Sequence, residues 1–425
     1  MRNFIEETNE FLHKVAMHSD TTDIQAVTEQ FLSEMEKGLN GEVSSLQMIP
    51  TYISANGTAP DNKPVIAIDA GGSNLRVGLV TFADGVPNVS RLEKCALPGS
   101  HHEISAEEFF DELAEKILPL TDESDRIGFC FSFPSEILPN CDGKILCLSK
   151  KEVSVRNAEG IIIGKKLLEK LREKGVAKNF KVTILNDTVA SLMGGIATRK
   201  LSDYDGFAGL ILGTGNNACY AEKGEKIVKL SNAKDMIINC ETGSFAKAVR
   251  GLSDEIMDSG SDNPGEYWFE KMLSGAYHGK VITNTAVLAA KAGLLSRNFA
   301  EITPPFSTPE LDEFLRGNEN RVVKMCEKAD ADVLREIIDN SFERAAKLVC
   351  ANIAAICLHC DGGKSAERPF CVIAEGSTFY NSLLFKEKFD KHVKNYIEGK
   401  LNRHVVFYRG ENVTLTGAAY SALIN

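Results

Sequence analysis

No apolar run in this 425-residue sequence approaches the roughly 20 residues a helix needs to span a bilayer; the richest, near Leu348–Leu358, falls far short. Basic residues are in the minority, 48 Lys and Arg against 59 Asp and Glu, for a net charge of −11. That balance argues against nucleic acid or an anionic membrane as a partner, while leaving room for a local basic pocket. The N-terminus carries Glu6 and Glu7 where a secretory leader would carry its apolar segment. The 11 cysteines are odd in number and irregular in spacing. Cys130, Cys219, Cys350 and Cys371 stand in apolar stretches, as reduced core residues of a cytoplasmic protein do. Cys357 and Cys360 form one C-x-x-C around His359, and no second pair stands at the spacing a structural zinc site requires. What is present, 43% hydrophobic and 25% charged residues, describes a globular chain long enough for two to three domains.

Residues 1–50 read as helical. Ile24, Val27, Phe31, Met35 and Leu39 form one apolar stripe at three- and four-residue steps, with Thr22 and Gln25 as a capping box and Gly38 as the stop. The polar stretch 54–63 marks a boundary. Pro64–Ala70 and Leu75–Phe82 then read as a hairpin around a glycine turn. Helix is expected over Ala106–Leu118 and Gly164–Lys174, and buried strands over Ile127–Phe133 and Val182–Leu185. Phe207–Leu212 and Ala218–Ala221 flank Gly213-Thr214-Gly215 as a second hairpin of the same kind, about 140 residues on, too far for a solenoid repeat. The two copies look like equivalent parts of two domains. Helical patterns dominate from 245 to about 360, strands follow at Phe370–Ile373 and Val405–Tyr408, and Gly417–Ile424 reads as the last helix. Strands mixed with helices throughout indicate an α/β fold.

Four constellations carry chemistry. Asp69, Gly71, Gly72, Ser73, Asn74 and Arg76 surround the first turn, where glycines let backbone N–H groups approach a phosphate. Gly213, Thr214, Gly215 and Asn217 repeat that logic in the second turn. A glycine turn alone is common to many hairpins; two are more telling, and neither fits the P-loop or dinucleotide pattern. Asn186-Asp187-Thr188 closes a buried strand, the position at which open α/β sheets bind ligands, although an Asp there also suits a helix cap. Glu241 and Glu270 follow turn-rich segments, and carboxylates accept hydrogen bonds from a polyhydroxylated ligand.

Taken together and in this order, these segments resemble the hexokinase family of ATP-dependent sugar kinases. Asp69–Arg76 is similar to its first phosphate motif, with Ser73 where Thr is usual, and Leu212–Tyr220 to its second. Phe131-Ser132-Phe133-Pro134 resembles the sugar-binding segment, Asn186–Ala190 the segment of the catalytic aspartate, and Asn263–Gly275 another sugar-contact segment. Glu375-Gly376-Ser377 is a weaker match to the adenosine motif, with Glu375 in place of an aspartate. The family's Trp-Thr-Lys-Gly-Phe stands here as Leu148-Ser149-Lys150-Lys151-Glu152, and its Glu-Trp-Gly as Glu241-Thr242-Gly243.

The resemblance implies two actin-like ATPase (ribonuclease H-like) domains of unequal size around a cleft. The smaller would take 60–186, with 413–425 returning to it, and the larger 1–59 and 187–412. It implies transfer of the γ-phosphoryl of ATP, with Mg²⁺, to the 6-hydroxyl of a hexose, glucose first among them, as the first step of glycolysis. Asp187 would be the general base, and Arg76 and Lys150 the cations that meet developing charge, unless Lys150 serves the sugar instead. Ser132, Phe133, Ser149, Lys150, Asn186, Asp187, Asn217, Glu241 and Glu270 would line the sugar site. Asp69, Gly71, Gly72, Ser73, Asn74, Gly213, Thr214, Gly215, Gly376 and Ser377 would serve the nucleotide, with no direct protein ligand to the metal. The expected partners are a hexose and ATP, the expected state a monomer or homodimer, the expected extent a single kinase unit with no appended module. A kinase for mannose, fructose or an amino sugar and a non-catalytic sugar sensor are the alternatives.

Overall fold

The apolar runs become the central strands of two sheets. In the computed structural model, which describes residues 4–150, 153–327 and 329–425, the first sheet runs Lys181–Leu185, Arg126–Phe131, Val65–Gly71, Asn74–Ala83, Val86–Ala96. The second runs Met236–Asn239, Asn216–Glu222, Phe207–Leu212, Phe370–Glu375, Val405–Tyr408, with the short strand Ile49–Pro50 added beyond Met236–Asn239. Numbered along the chain, the strands of both sheets are ordered three, two, one, four, five. In both, the first three pair antiparallel and the last two join in parallel. The repeated hairpin of the sequence is thus the start of a repeated five-stranded unit.

The fifth strand of each sheet feeds a helix that packs on the other sheet. Asp187–Ala197 follows the first sheet and lies on Phe207–Leu212, Asn216–Glu222 and Phe370–Glu375; Val413–Ile424 follows the second and lies on Arg126–Phe131 and Val65–Gly71. The two helices cross in backbone contact. A Cβ on Gly417 would stand 1.8 Å from the Ala190 carbonyl oxygen, and one on Gly194 would stand 2.1 Å from that of Val413. Three apolar cores result. One underlies the first sheet around Phe109, Phe110, Phe129 and Phe131; one surrounds the 30-residue helix Asp330–His359; one fills the space between the sheets with Leu192, Met193, Ala418, Ala419 and the buried thiols Cys130 and Cys371.

Residues 1–50 are not one helix. Helices Phe4–Lys14 and Ile24–Asn40 are separate, and loop follows the second up to Ile49–Pro50. Asp23, not Thr22, caps Ile24–Asn40 by accepting from the Ala26 N–H at 3.0 Å, as expected of the stronger capping side chain. The helix stops at Gly41, at φ +79°, and Gly38 lies inside it, where a Cβ would stand 2.5 Å from the Leu46 carbonyl oxygen. The last helix starts at Val413, four residues before the small apolar run; its first turn, with Val413 and Thr414, has poor helix propensity and forms through packing.

Candidate active site

Parallel strands that end together leave a crevice at their carboxyl ends. Here that crevice is a cleft of about 510 Å³ whose lining includes Asp69, Arg76, Ser132, Asp187, Glu375 and Thr414. Residues far apart in sequence therefore meet: the first glycine turn, the aspartate after Lys181–Leu185, the end of Phe370–Glu375 and the start of the last helix.

Asp69 and Arg76 are paired by the antiparallel register of the first hairpin. The Arg76 guanidinium donates to the Asp69 carboxylate and, at 2.9 Å, to the Thr414 hydroxyl, which itself donates to Asp69 Oδ2 at 2.8 Å. The hairpin closes through Gly72 and Ser73, with Gly72 at φ +57°, where a II′ turn places glycine. Gly71 lies against Ser132: a Cβ there would stand 3.0 Å from Ser132 Oγ. Ser73 and Asn74 are exposed at the cleft mouth.

Asp187 opens helix Asp187–Ala197, and Asn186 takes the capping position, accepting from the Thr188 N–H at 2.8 Å. Asp187 Oδ1 shares that donor at 2.7 Å. Cys130 sits beside Asp69 in the sheet. Burial, and then the charges of Asp69 and Asp187, push its thiol well above the usual range and keep it protonated.

The second turn uses its glycines differently from the first. Neither Gly213 nor Gly215 has a positive φ, and their size is what counts. A Cβ on Gly215 would stand 2.8 Å from Glu270 Oε2, and Gly213 approaches the Cα of Gly376. Gly376, at φ +115°, has no room for a side chain: a Cβ would stand 2.1 Å from the Leu212 carbonyl oxygen. Ser377 opens the short helix beyond it. The carbonyl of Gly213 accepts from Gly275 N–H and the Thr378 hydroxyl, and that of Thr214 from Ala276 N–H, so neighbouring segments clamp the turn.

Beside this turn a polar cluster forms. Glu270 accepts from the Asn216 N–H at 2.9 Å. Glu241 Oε1 accepts from Asn239 Nδ2 at 2.7 Å and Asn217 Nδ2 at 3.4 Å, and Asn217 Oδ1 accepts from the amides of Ala218 and Thr242. Glu241 is held at φ +55°, a costly conformation for a residue with a Cβ and one that clusters at functional sites. Burial raises the pKa of nearby Tyr267, and the charges of Glu241, Glu266 and Glu270 raise it further.

The remaining expected residues lie on the segments around Ser132 and Ser149. The Phe133 side chain is buried in the first sheet's core beside Phe131. Ser149 lies in a two-residue strand with its hydroxyl 3.4 Å from the Val155 carbonyl oxygen; the Lys150 side chain, Lys151 and Glu152 lie outside the described residues. Asn239 and Thr414 were not singled out from sequence. Asn239 stands two residues before Glu241 at a strand end, a legible signal; Thr414 needs the fold to reach Asp69.

Two hexokinase family models match the chain, over residues 7–197 and 207–424. The chain belongs to the hexokinase family. Hexokinase-2 of Homo sapiens is 28% identical over 447 residues, covering 98% of the chain and 48% of the relative; Hexokinase-1 of Oryza sativa subsp. japonica is 29% identical over 430 residues, covering 92% and 85%. The chain thus spans about half the length of the mammalian hexokinases it matches. Among solved structures, a Schistosoma mansoni hexokinase complexed with glucose superposes with a TM-score of 0.79 at 23% identity, covering 99% of this chain and 98% of that one. A second hexokinase gives 0.80 at 20% identity, covering 99% of each. The hexokinase fold, two actin-like ATPase domains about a cleft, is therefore that of this chain, as its duplicated strand order requires.

Proposed function

We propose that this hexokinase-family chain transfers the γ-phosphoryl group of ATP to the 6-hydroxyl of a hexose, with glucose as preferred acceptor, the first step of glycolysis. The observation that carries this reading is the convergence of Asp187 with Asp69, Arg76 and Ser132 in one cleft. Asp187 accepts the proton of the 6-hydroxyl as its oxygen bonds to the γ-phosphorus and the bond to the ADP oxygen breaks; a positioned base contributes about 10²–10⁴-fold. Arg76, held in place by Asp69 and Thr414, meets the charge on the transferring group. The Asp69 carboxylate and Ser132 hydroxyl are oxygen donors of the kind that suits Mg²⁺ and its waters. The ion supplies charge neutralisation at the phosphate oxygens when bound. Glu241, Glu270, Asn186, Asn217 and Asn239 hold the sugar hydroxyls, in keeping with the glucose bound by the Schistosoma mansoni relative. Ser149 and Lys150, from the small domain, complete the sugar site.

The domains are proposed as 60–186 with 413–425, and 1–59 with 187–412, which follows the way the two crossing helices exchange sheets. A reducing, cytoplasmic setting suits eleven free thiols. The test is a coupled assay of ADP formation over glucose, mannose, fructose and glucosamine with ATP and Mg²⁺. Turnover with glucose highest in kcat/KM is expected; turnover highest with another sugar reassigns the acceptor. Sugar binding without turnover on any of them would replace the kinase reading with that of a sugar sensor.

A further inference from the structure

The first sheet carries a row of charges across three strands. Asp69 stands opposite Arg76, and Arg76 stands opposite Lys94 on Val86–Ala96. Directly opposed residues share a face of the sheet, and all three line the cleft. Asp69 neutralises Arg76. Among the described residues, no carboxylate pairs with Lys94, while its neighbour Glu93 pairs with Lys116 at 2.6 Å. Two cations directly opposed across a ladder are destabilising. Two residues along the same face, Asn74 opposes Ala96 beside the Gly72–Ser73 turn. An anion that spans the turn amides and Arg76 would therefore lie along the face of the sheet that exposed Lys94 shares.

We infer that Lys94 is a second phosphate-contacting cation of the cleft, engaging the terminal phosphates of the nucleotide and setting preference for ATP over nucleotides with fewer phosphates. The inference rests on the ATP-dependent reading. The test is equilibrium binding of ATP, ADP and AMP to the full chain by calorimetry, for wild type, Lys94→Ala and Lys94→Arg, with hexose affinity and turnover measured alongside. A single charge-assisted contact predicts that Lys94→Ala weakens ATP about three- to tenfold, weakens ADP less and leaves AMP unchanged. Lys94→Arg should restore ATP, and hexose affinity should stay within about twofold of wild type, the change expected where no contact is lost. The ATP affinity of Lys94→Ala should also fall less steeply with added salt. An active wild type whose Lys94→Ala variant binds all three nucleotides equally well overturns the role of Lys94 alone. A wild type that binds and turns over no ATP overturns the nucleotide reading and this inference with it.

Discussion

At the scale of single residues, the proposed chemistry depends on a carboxylate held at a helix start that shares the capping donor with Asn186. Asn186 accepts the capping hydrogen bond, and Asp187 projects from the first turn into the cleft. Asp187→Asn keeps the shape and removes the proton acceptor. It should lower kcat by about 10²–10⁴-fold with little change in sugar affinity, as expected for a base that acts only in the transition state. Turnover within tenfold of wild type would move the base elsewhere. Asp187 was legible because a polar residue ending a buried strand is conspicuous, but by itself it also reads as a helix cap, and only the resemblance proposes it as the base. Asn186, Glu241 and Glu270 were legible only as a pattern, since each alone resembles a surface residue. Lys94 and Thr414 were not legible at all. Their relation to Asp69 is one of cross-strand register and helix docking, and neither leaves a mark in local sequence.

At the scale of elements, strand cores were readable because a two-sided buried strand is a short continuous apolar run, as in Phe207–Leu212 and Arg126–Phe131. Helix ends were less so. Thr22 and Gly38 offered reasonable cap chemistry, yet Asp23, the stronger capping side chain, and Gly41, at positive φ, do the capping. The crossing of Asp187–Ala197 with Val413–Ile424 was invisible, although it decides the architecture. It rests on glycines whose neighbours are backbone atoms that cannot yield. Gly417→Ala should therefore cost about 3 kcal/mol, the upper end for overpacking, and lower Tm by several degrees in thermal unfolding. An unchanged Tm would mean the helices can separate freely. A second element carries a pH liability. His278, at the start of His278–Lys291, is fully buried with its ring on Phe342 and Nε2 2.8 Å from Ser341 Oγ. Burial, and then the Arg344 charge, lower its pKa from 6.5 to about 4. The unfolded chain therefore takes up this proton first as pH falls, so the stability gained from a neutral buried ring is complete above pH 6.5 and lost towards pH 4. Urea titrations from pH 7.5 to 4.5 should show a steeper loss for wild type than for His278→Asn, by as much as about 1.4 kcal/mol per pH unit. Parallel slopes would clear His278.

At the scale of the whole molecule, the two sheets meet through one helix pair and a shared apolar layer, while the cleft opens on the side where the strands end. The kinase reading predicts that one unit turns against the other about this crossing. Such a turn would bring the Ser132 and Ser149 segments of the smaller unit towards Glu241 and Glu270 of the larger. Sugar bridging the two would stabilise the closed form by its differential affinity for it, and closure would shield the phosphoryl group from water. The chain carries its own reporter. Trp268 is the only tryptophan and lies two residues from Glu270 on Trp268–Leu273, with the Arg250 guanidinium 4.1 Å from its ring centroid. Glucose binding should therefore change Trp268 emission saturably, at concentrations that match the KM for glucose where chemistry is slow relative to release. The radius of gyration from small-angle scattering should fall over the same range, from a value near ~22 Å for a compact chain of this length. Glu270→Ala should abolish both responses, whereas Asp187→Asn, which still binds sugar, should keep both. An emission change without contraction would confine the response to the sugar pocket; contraction in Glu270→Ala would show that closure does not depend on the sugar contacts proposed for the larger unit.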